Sequence, residues 1–350
     1  MDNLIAKTIF TAIKEKVFPG CVVGYINANG DFVILPFGKY TYEESSYNIE
    51  IDSIFDVASI TKAIPTSCLA LKFIDEGKLK LNTKIIEYIP EFENSYKDEV
   101  TIWHLLTHTL DFNISLASLK DKGANEIINS VLKHEFKYAP GKVYNYCNAT
   151  SILLGIVIER LTGENIAYLA KKEFFDPLKM ESTTFFPAEV NFEKIVPTEI
   201  DLWRNRIIKG EVHDESAFVL REKIIAGSAG LFSTAKDILI FLKMLLNDGE
   251  FDGKRYFSKE IIYHMCSNQI EYLNLSAGLG WELNQKRYMG DYCSNKTIGK
   301  TGFTGCVCIC DLEKKKAMVL LSNYTYPQRK KTKEPIDKVR RDIANIIFSN

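Results

Sequence analysis

The sequence predicts an α+β fold in which the two ends of the chain build one antiparallel α/β lobe and the middle forms an inserted helical lobe. Near the amino end, an amphipathic helical pattern precedes two apolar runs that are separated by turn residues. Near the carboxyl end, two more apolar runs bracket a charged turn and precede a second amphipathic helix. Helical periodicity dominates between them, from about residue 59 to residue 172. Strands from both ends can share one sheet, which forms the first lobe, and the helical middle forms the second lobe. We therefore expect a cleft between the two lobes.

The first elements are a helix and a hairpin. Within residues 1–20, apolar side chains recur at helical spacing and predict an amphipathic surface helix. These side chains are Leu4, Ile5, Phe10, Ile13 and Val17. Residues 21–26 and 31–37 are apolar runs on either side of Asn27-Ala28-Asn29-Gly30, a turn sequence typical of a β-hairpin. Two antiparallel strands are therefore expected directly after the first helix.

The middle of the chain is mainly helical. Residues 60–76 show helical periodicity up to Gly77, and residues 151–161 show it up to Thr162-Gly163. Pro65 lies early in the first of these helices, where it must remove a backbone hydrogen bond or bend the helix. A less regular stretch follows, which contains Pro177, Pro187 and Pro197.

The last elements return to the sheet. Ser233 or Thr234 is expected to cap a helix that runs to about Asn247. Two strands are predicted at residues 305–312 and 317–323, with the charged turn 313–316 between them. A final amphipathic helix is predicted at residues 336–348. We therefore expect a single domain over residues 1–350. Its α/β lobe is expected at about residues 1–75 and 215–350, and its helical lobe at about residues 76–214.

Composition and charge exclude several classes of function. The 350 residues include 44 basic and 45 acidic side chains, which gives a formal net charge of -1. This balance exerts no long-range attraction on phosphate backbones or anionic lipids, so nucleic acid is not an expected partner. The longest nearly apolar run, residues 152–158, is far shorter than the ~20 residues of a membrane span. Residues 1–20 lack the apolar core of a signal peptide, so we expect a cytoplasmic protein.

The cysteines and histidines give no clear metal site. None of the eight cysteines forms a C-x-x-C pair. Cys306, Cys308 and Cys310 alternate along a predicted strand and share one face, but no complementary pair has the usual spacing of a soft-metal site. His104 and His108 stand four residues apart, but the glutamate of an H-E-x-x-H zinc motif is missing. We therefore expect reduced, buried thiols, no metal and no cofactor.

Ser59-Ile60-Thr61-Lys62 is the first candidate for chemistry. A serine hydroxyl is a weak nucleophile until a neighbouring base takes its proton. Because residues three apart lie on one helix face, Lys62 can reach Ser59. The same S-x-x-K spacing occurs at residues 130–133 and 233–236. The motif alone therefore also fits an N-cap serine that is followed by a surface lysine.

Two later tripeptides add to the first motif. Tyr146-Cys147-Asn148 follows a turn, and in an extended segment its tyrosine and asparagine point the same way. A phenol can transfer protons when cations lower its pKa, and a carboxamide can hold a substrate amide. Lys300-Thr301-Gly302 is the only K-T-G in the chain and precedes a predicted strand. Its lysine would supply a positive charge and its glycine would permit close backbone approach, but each tripeptide alone also fits an ordinary turn.

Together and in this order, S-x-x-K, Y-x-N and K-T-G resemble the active-site serine β-lactamases and penicillin-binding proteins. The Y-x-N form is similar to class C β-lactamases and the related esterases and D-peptidases. The resemblance extends from about residue 20 to residue 325 and includes residues 55–62, 77–81, 102–109, 153–155 and 229–234. The chain departs from the family at Leu110-Asp111, where relatives commonly carry Ser-Gly, so the loop at that point is expected to differ in shape.

The resemblance implies a β-lactamase/transpeptidase-like fold and a serine acyl-hydrolase. Ser59 would form an acyl-enzyme, with Lys62 and Tyr146 as its activating bases. The implied substrate-binding residues are Asn148, Lys300, Thr301, Gly302 and Phe303. By the same resemblance, the backbone amides of Ser59 and Phe303 would form the oxyanion hole. His213-Asp214-Glu215 resembles a connecting motif in some of these hydrolases, for which we expect a structural or rim role.

The resemblance leaves the substrate open. Related proteins include β-lactamases, D-alanyl carboxypeptidases, D-amino-acid amidases and esterases. The expected partner is therefore a small-molecule or short-peptide acyl compound, and the expected protein an esterase or small-peptide hydrolase. Close relatives often carry histidine in place of Lys300, so the lysine favours a carboxylate-bearing substrate. The alternative is a protein of the same fold that binds penicillin or peptidoglycan fragments without turnover.

Overall fold

The structure is a computed structural model that describes residues 1–349, and a six-stranded sheet lies at its centre. The strands are β1 Gly20–Ile26, β2 Phe32–Gly38, β3 Phe55–Asp56, β4 Glu199–Asp201, β5 Arg206–Ile208, β6 Phe232–Ser233, β7 Glu250–Phe251, β8 Lys254–Arg255, β9 Glu282–Leu283, β10 Thr297–Thr301, β11 Val307–Asp311 and β12 Lys316–Ser322. The central sheet has the order β2-β1-β12-β11-β10-β9, and all its pairings are antiparallel. The remaining strands form two-stranded pairs.

Helices cover the sheet and fill the middle of the chain. They are α1 Asp2–Lys14, α2 Cys68–Asp75, α3 Ile102–Thr107, α4 Ala124–Leu132, α5 Asn148–Thr162, α6 Ile166–Ala170, α7 Glu215–Leu220, α8 Ala235–Leu246, α9 Lys259–Met265, α10 Lys286–Met289 and α11 Glu334–Phe348. Two segments are π-helical. Lys62–Ser67 directly precedes α2, and Lys171–Phe175 directly follows α6. Short 3-10 turns account for most of the remaining helical residues.

The sheet is buried on both faces. Along β1, Val23 belongs to the apolar cluster that holds α1 and α11, whereas Val22 belongs to the cluster that holds α8. This alternation follows from the period of two residues in a strand. Gly24 allows α8 to approach closely, because a Cβ there would lie 2.9 Å from Leu239 Cδ1. The consequence is a rigid layer of strands between two layers of helix.

The helical part is organised around α5. This helix packs against α2, α3, α6 and the π-helical segment Lys62–Ser67. It ends at Gly163, which has a φ of 77° and so accepts the left-handed conformation that a helix C-terminus often needs. The π-helical segment begins at Lys62, shortly after the predicted nucleophile Ser59, and α5 begins at Asn148. The packing of α5 on this segment therefore brings these parts of the predicted site together.

Most of the elements predicted from the sequence are confirmed. The α+β class, the first helix, the hairpin, the two late strands and the final helix all lie within a few residues of the expected bounds. Thr234 caps α8, as its side chain accepts a hydrogen bond from Asp237 N at 3.2 Å. The division of the chain into two lobes at the stated bounds stays a prediction.

Three local predictions need correction. The expected helix 60–76 is interrupted, because Ile64 before Pro65 has non-helical angles (φ -112°, ψ 110°) and the segment Lys62–Ser67 around it is π-helical. The helix after Tyr146 begins at Asn148, so these two residues do not share one extended segment. The K-T-G tripeptide was expected only as the approach to a strand, but Lys300 and Thr301 are themselves the last residues of β10.

Three further observations concern the whole described chain. No helix within residues 1–349 is long and apolar enough to cross a membrane. All eight cysteines are free thiols, and seven of them are buried while Cys147 is partly exposed. Over the same residues, no cluster of three or more His, Cys, Asp or Glu side chains is arranged to hold a metal ion.

Candidate active site

Ser59 lies in a tight turn between β3 and the π-helical segment. The preceding residue, Ala58, has a φ of 46°, a left-handed conformation that residues with a Cβ rarely adopt. The Asp56 carboxylate accepts a hydrogen bond from Ala58 N at 2.8 Å, and Thr61 Oγ1 donates to Ala58 O at 2.6 Å. These two bonds hold a strained turn that presents the half-buried Ser59 to the cleft.

The buried ammonium of Lys62 connects Ser59 to the helical part. Its Nζ donates to Ser59 Oγ at 2.9 Å, to Asn148 Oδ1 at 2.8 Å and to Ser228 O at 2.8 Å. An ammonium has three N–H donors, and each of them has an acceptor here. The spacing of three residues thus brings Lys62 within hydrogen-bond distance of Ser59, in spite of the interrupted helix.

The phenol of Tyr146 lies near two lysines. The Nζ atoms of Lys300 and Lys62 are 4.0 Å and 5.3 Å from the centroid of its ring. Burial raises the pKa of Tyr146, but the two positive charges and an interaction with Ser59 outweigh burial, so the net pKa lies below the usual value for tyrosine. The side chain is 39% exposed, so water in the cleft can also solvate the phenolate. Tyr146 is therefore suited to hold and release a proton.

Lys300 is buried and already paired. Its Nζ lies 2.7 Å from Glu282 Oε1, and the two side chains are only 3% and 13% exposed. Burial lowers the pKa of Lys300, but Glu282 outweighs burial and the net pKa is raised. Because Lys300 is buried and already paired with Glu282, its expected preference for a substrate carboxylate stays a prediction. Glu282, on β9 beside Gly299 of β10, was not predicted from the sequence.

Asn148 is held at both ends of its carboxamide. Its Oδ1 accepts from Lys62, and its Nδ2 donates to Asp214 Oδ2 at 3.0 Å. Asp214 caps α7 and also accepts from Ser216 Oγ at 2.6 Å and Ala217 N at 2.8 Å. Burial raises the pKa of Asp214, but these hydrogen bonds and Lys62 outweigh burial and the net pKa is lowered. The segment 213–215, for which a structural or rim role was expected, thus fixes the orientation of Asn148.

The end of β10 approaches the turn that contains Ser59 very closely. A Cβ on Gly302 would lie 2.4 Å from Val57 O, so only glycine fits there. Phe303 follows, and its ring is 42% exposed and stacks on His213 with centroids 5.7 Å apart. Within residues 1–349, no protein group accepts a hydrogen bond from the backbone N–H of Ser59 or of Phe303. Both donors are therefore free to bind a carbonyl oxygen.

Two adjoining cavities form the cleft. The first has a volume of about 230 Å³ and is lined by six of the predicted site residues, Ser59, Tyr146, Asn148, Thr301, Gly302 and Phe303. The other two predicted residues, Lys62 and Lys300, are 2% exposed and lie beneath this surface. The second cavity has a volume of about 620 Å³ and shares Tyr146, Thr301 and Lys333 with the first. The structure thus brings all the predicted site residues together.

His108 lies next to the site without a predicted role. Its ring centroid is 5.0 Å from that of Tyr146, and its Nδ1 lies 2.7 Å from Thr150 Oγ1. Burial, followed by the charges of the two site lysines, lowers the pKa of His108 well below the usual value, so the imidazole is neutral. His104 lies at the other end of α3, where its Nδ1 accepts from Thr101 N at 3.1 Å. The two imidazoles thus have separate partners.

Comparison with known proteins gives one family and several relatives. A family model described as Beta-lactamase matches residues 5–340. A protein of Escherichia coli (strain K12) named "Putative D-alanyl-D-alanine carboxypeptidase" is 29% identical over 304 residues, which is 77% of this chain and 69% of that protein. The N-acetylmuramyl-L-alanine amidase of Bacillus subtilis (strain 168) is 26% identical over 363 residues, which is 92% of this chain and 80% of that protein.

A solved structure is similar over most of the chain. The octameric penicillin-binding protein homologue from Pyrococcus abyssi superimposes with a TM-score of 0.74 and 22% sequence identity. The superposition covers 93% of this chain and 75% of that chain. At this level of identity the similarity is one of fold.

Proposed function

The chain belongs to the beta-lactamase family and has the β-lactamase/transpeptidase-like fold that its motifs implied, and from this membership we propose that it is a serine acyl-hydrolase with Ser59 as its nucleophile. Two relatives carry the names of hydrolases, a carboxypeptidase and an amidase. The observation that carries the proposal is the 2.9 Å hydrogen bond between Lys62 Nζ and Ser59 Oγ, next to a tyrosine with a lowered pKa.

In the proposed first step, Ser59 Oγ attacks the carbonyl carbon of an ester or amide. The new C–O bond forms while the hydroxyl proton passes to the phenolate of Tyr146, which Lys300 and Lys62 stabilise. Lys62 acts together with Tyr146, because its hydrogen bond orients the serine oxygen throughout the transfer. The bond to the leaving group then breaks, and the proton from Tyr146 neutralises the departing alkoxide or amine. The product of this step is an acyl-enzyme on Ser59.

The negative charge of the tetrahedral intermediate needs fixed donors. The backbone N–H groups of Ser59 and Phe303 are the proposed pair, since both lie at the same cavity and neither has a protein acceptor within residues 1–349. Loss of one donor of this kind typically costs about 3–4 kcal/mol of transition-state stabilisation. These two amides would therefore supply a large part of the rate enhancement.

Water completes the proposed reaction. It attacks the acyl carbon while Tyr146 accepts its proton, and Ser59 leaves with that proton as the acid product departs. Asn148 and Thr301 line the same cavity as Ser59 and are the proposed contacts for the substrate. Because Lys300 is buried and paired with Glu282, we propose an ester or a short peptide, including a D-peptide, with no requirement for a free carboxylate.

The test is to expose the protein to nitrophenyl acetate and to a fluorescent penicillin, and to follow both turnover and intact mass. We expect ester turnover and a transient acyl adduct on Ser59. In Ser59→Ala both should disappear, with a rate loss of at least about 10³-fold, because Ser59, Lys62 and Tyr146 would act as a unit.

A second S-x-x-K serine supplies the matched control. Ser130 lies on α4, and Lys133 beside it contacts Glu93 instead, at 3.3 Å. Ser130→Ala should therefore turn over the ester at the wild-type rate. A stable adduct on Ser59 without turnover would support the binding protein instead of the hydrolase, and the absence of any adduct on Ser59 would contradict both functions.

A further inference from the structure

A buried guanidinium holds the loop that carries Phe303. Arg340, on α11, is 2% exposed, although its side chain is long and charged. We propose that Arg340 is a positioning residue that orients the backbone N–H of Phe303 towards the substrate carbonyl, an inference that rests on the proposed function. No charge on the substrate is required for this role, because Arg340 acts through the peptide backbone.

The guanidinium contacts three carbonyl groups of one short loop. Its Nη2 donates to Gly302 O and to Cys306 O, each at 2.9 Å, and its Nε lies 3.3 Å from Gly305 O. The loop also closes on itself, since Gly302 N donates to Cys306 O at 2.7 Å. A planar fork of donors is what matches several carbonyls at once, and a lysine ammonium lacks this geometry. Arg340 therefore fixes the whole loop from residue 302 to residue 306.

One of these carbonyls determines where the Phe303 N–H points. The C=O of Gly302 and the N–H of Phe303 belong to the same planar trans peptide, so the two groups point in opposite directions. Because Arg340 binds the Gly302 oxygen, the Phe303 N–H must point away from the guanidinium. It has no protein acceptor within residues 1–349, and Phe303 and Arg340 both border the cavity that contains Ser59. A hydrogen bond from a cation also polarises the peptide and makes its N–H a stronger donor.

The two halves of the proposed oxyanion hole are joined by backbone and side-chain bonds. Thr304 Oγ1 donates to Asp56 O at 2.7 Å, and the Asp56 side chain holds the turn before Ser59. On the far side, Arg340 Nη1 donates to Asp337 Oδ1 at 2.8 Å, and Asp337 also pairs with Arg287. The loop of residues 302–306 is thus held by the turn around Ser59 on one side and by α11 on the other.

The test compares Arg340→Ala and Arg340→Lys with the wild type in the rate of acylation by nitrophenyl acetate, a neutral ester. We expect that rate to fall by about 10²-fold in both variants, the loss typical of one oxyanion donor, with KM within about threefold of wild type. Guanidinium at millimolar concentration should partly restore Arg340→Ala, whereas ammonium should not. Arg341→Ala, an exposed arginine on the same helix, should acylate at the wild-type rate.

The outcomes separate this inference from the proposed function. A wild-type protein without an adduct on Ser59 would overturn the proposed function. If the wild type is active and the acylation rate of Arg340→Lys lies within about twofold of the wild-type rate, the inference is overturned while the proposed function stands. A rise in KM that is confined to anionic esters, with an unchanged maximal rate, would also overturn it, because Arg340 would then bind substrate directly. If Arg340→Ala does not fold by circular dichroism, the rate of Arg340→Lys decides.

Discussion

The ionisation of Tyr146 depends on three charged side chains. Lys300 and Lys62 favour its phenolate, and Glu282 opposes it. Glu282 nevertheless belongs to the arrangement, because a buried lysine without a partner would lose its proton or leave its position. The same carboxylate that weakens the influence of Lys300 therefore also keeps that lysine charged and in place.

Removal of the Lys300 charge should raise the pKa of Tyr146. If the phenolate is the active form, activity rises with pH as Tyr146 deprotonates, and in Lys300→Met the acid limb of the profile of kcat/KM against pH should move to higher pH. At neutral pH we expect the rate to fall by roughly 10²-fold, the lower end of what acid–base catalysis contributes. The profile is measured with a neutral ester, whose own charge does not change.

The double variant Lys300→Met/Glu282→Gln is the matched control. It removes the opposing anion as well, so its acid limb should lie between those of the wild type and the single variant. A single variant with an unshifted acid limb would contradict the assignment of Tyr146 as the titrating base.

Two glycines end elements near the site, and they differ in their surroundings. Gly302 follows β10 and lies against Val57, two residues before Ser59, whereas Gly163 ends α5 in open space, where an added Cβ would meet no atom within 4 Å. Gly163 is required only for its φ of 77°. The two positions therefore separate the effect of close packing from the effect of backbone conformation.

Gly302→Ala should affect both stability and activity. Its methyl group would overlap Val57 O, so the end of β10 must move away from Ser59. We expect a loss of about 1–3 kcal/mol in the free energy of unfolding and at least about a 10²-fold loss of ester turnover. Gly163→Ala should cost about 1 kcal/mol and leave turnover unchanged. Urea unfolding and initial rates measure the two effects, and equal turnover in the two variants would contradict the proposed role of the close contact.

The success of the sequence predictions depends on the range of the interactions involved. The hairpin and the late strands follow from local apolar runs, and the Ser59–Lys62 contact follows from a spacing of three residues. Strand β10, Thr-Ile-Gly-Lys-Thr, has only one large apolar residue and so gave no strand pattern. Glu282 reaches Lys300 only through the β9–β10 register, which no local pattern predicts. Arg340 likewise contacts its loop only after α11 has packed on the sheet.

At the scale of the whole molecule, several carboxylates are stabilised in their charged form. Burial raises the pKa of Glu199, Asp214 and Glu282, but neighbouring cations and hydrogen bonds outweigh burial, and each net pKa is lowered. Asp56 is opposite in sign, since burial outweighs its hydrogen bonds and the nearby charges, and its net pKa is raised. A lowered carboxylate pKa stabilises the fold above the pKa of the unfolded chain, and this stabilisation is lost as pH falls through the folded value.

The free energy of unfolding should therefore fall in two ranges as pH decreases. It should fall first from about pH 6.5, because burial lowers the pKa of His104 and His108 and the unfolded chain binds these protons more readily, and again below about pH 4, where carboxylates of the unfolded chain titrate. Urea denaturation at several pH values measures this. Glu282→Gln should reduce the acid-dependent part, while Glu313→Gln, at an exposed turn, should not change it. Constant stability down to about pH 3 would contradict the ionic role of these buried groups.

The position of β1 between β2 and β12 has a consequence for synthesis of the chain. The hairpin of β1 and β2 leaves the ribosome long before β12, its other neighbour, has been translated. Until then one edge of β1 has unpaired N–H and C=O groups, which can form hydrogen bonds with other nascent chains. β1 can pair with β12, with Cys21 opposite Ser322, only after β12 has been made. The hairpin must therefore be shielded for most of the time that translation takes.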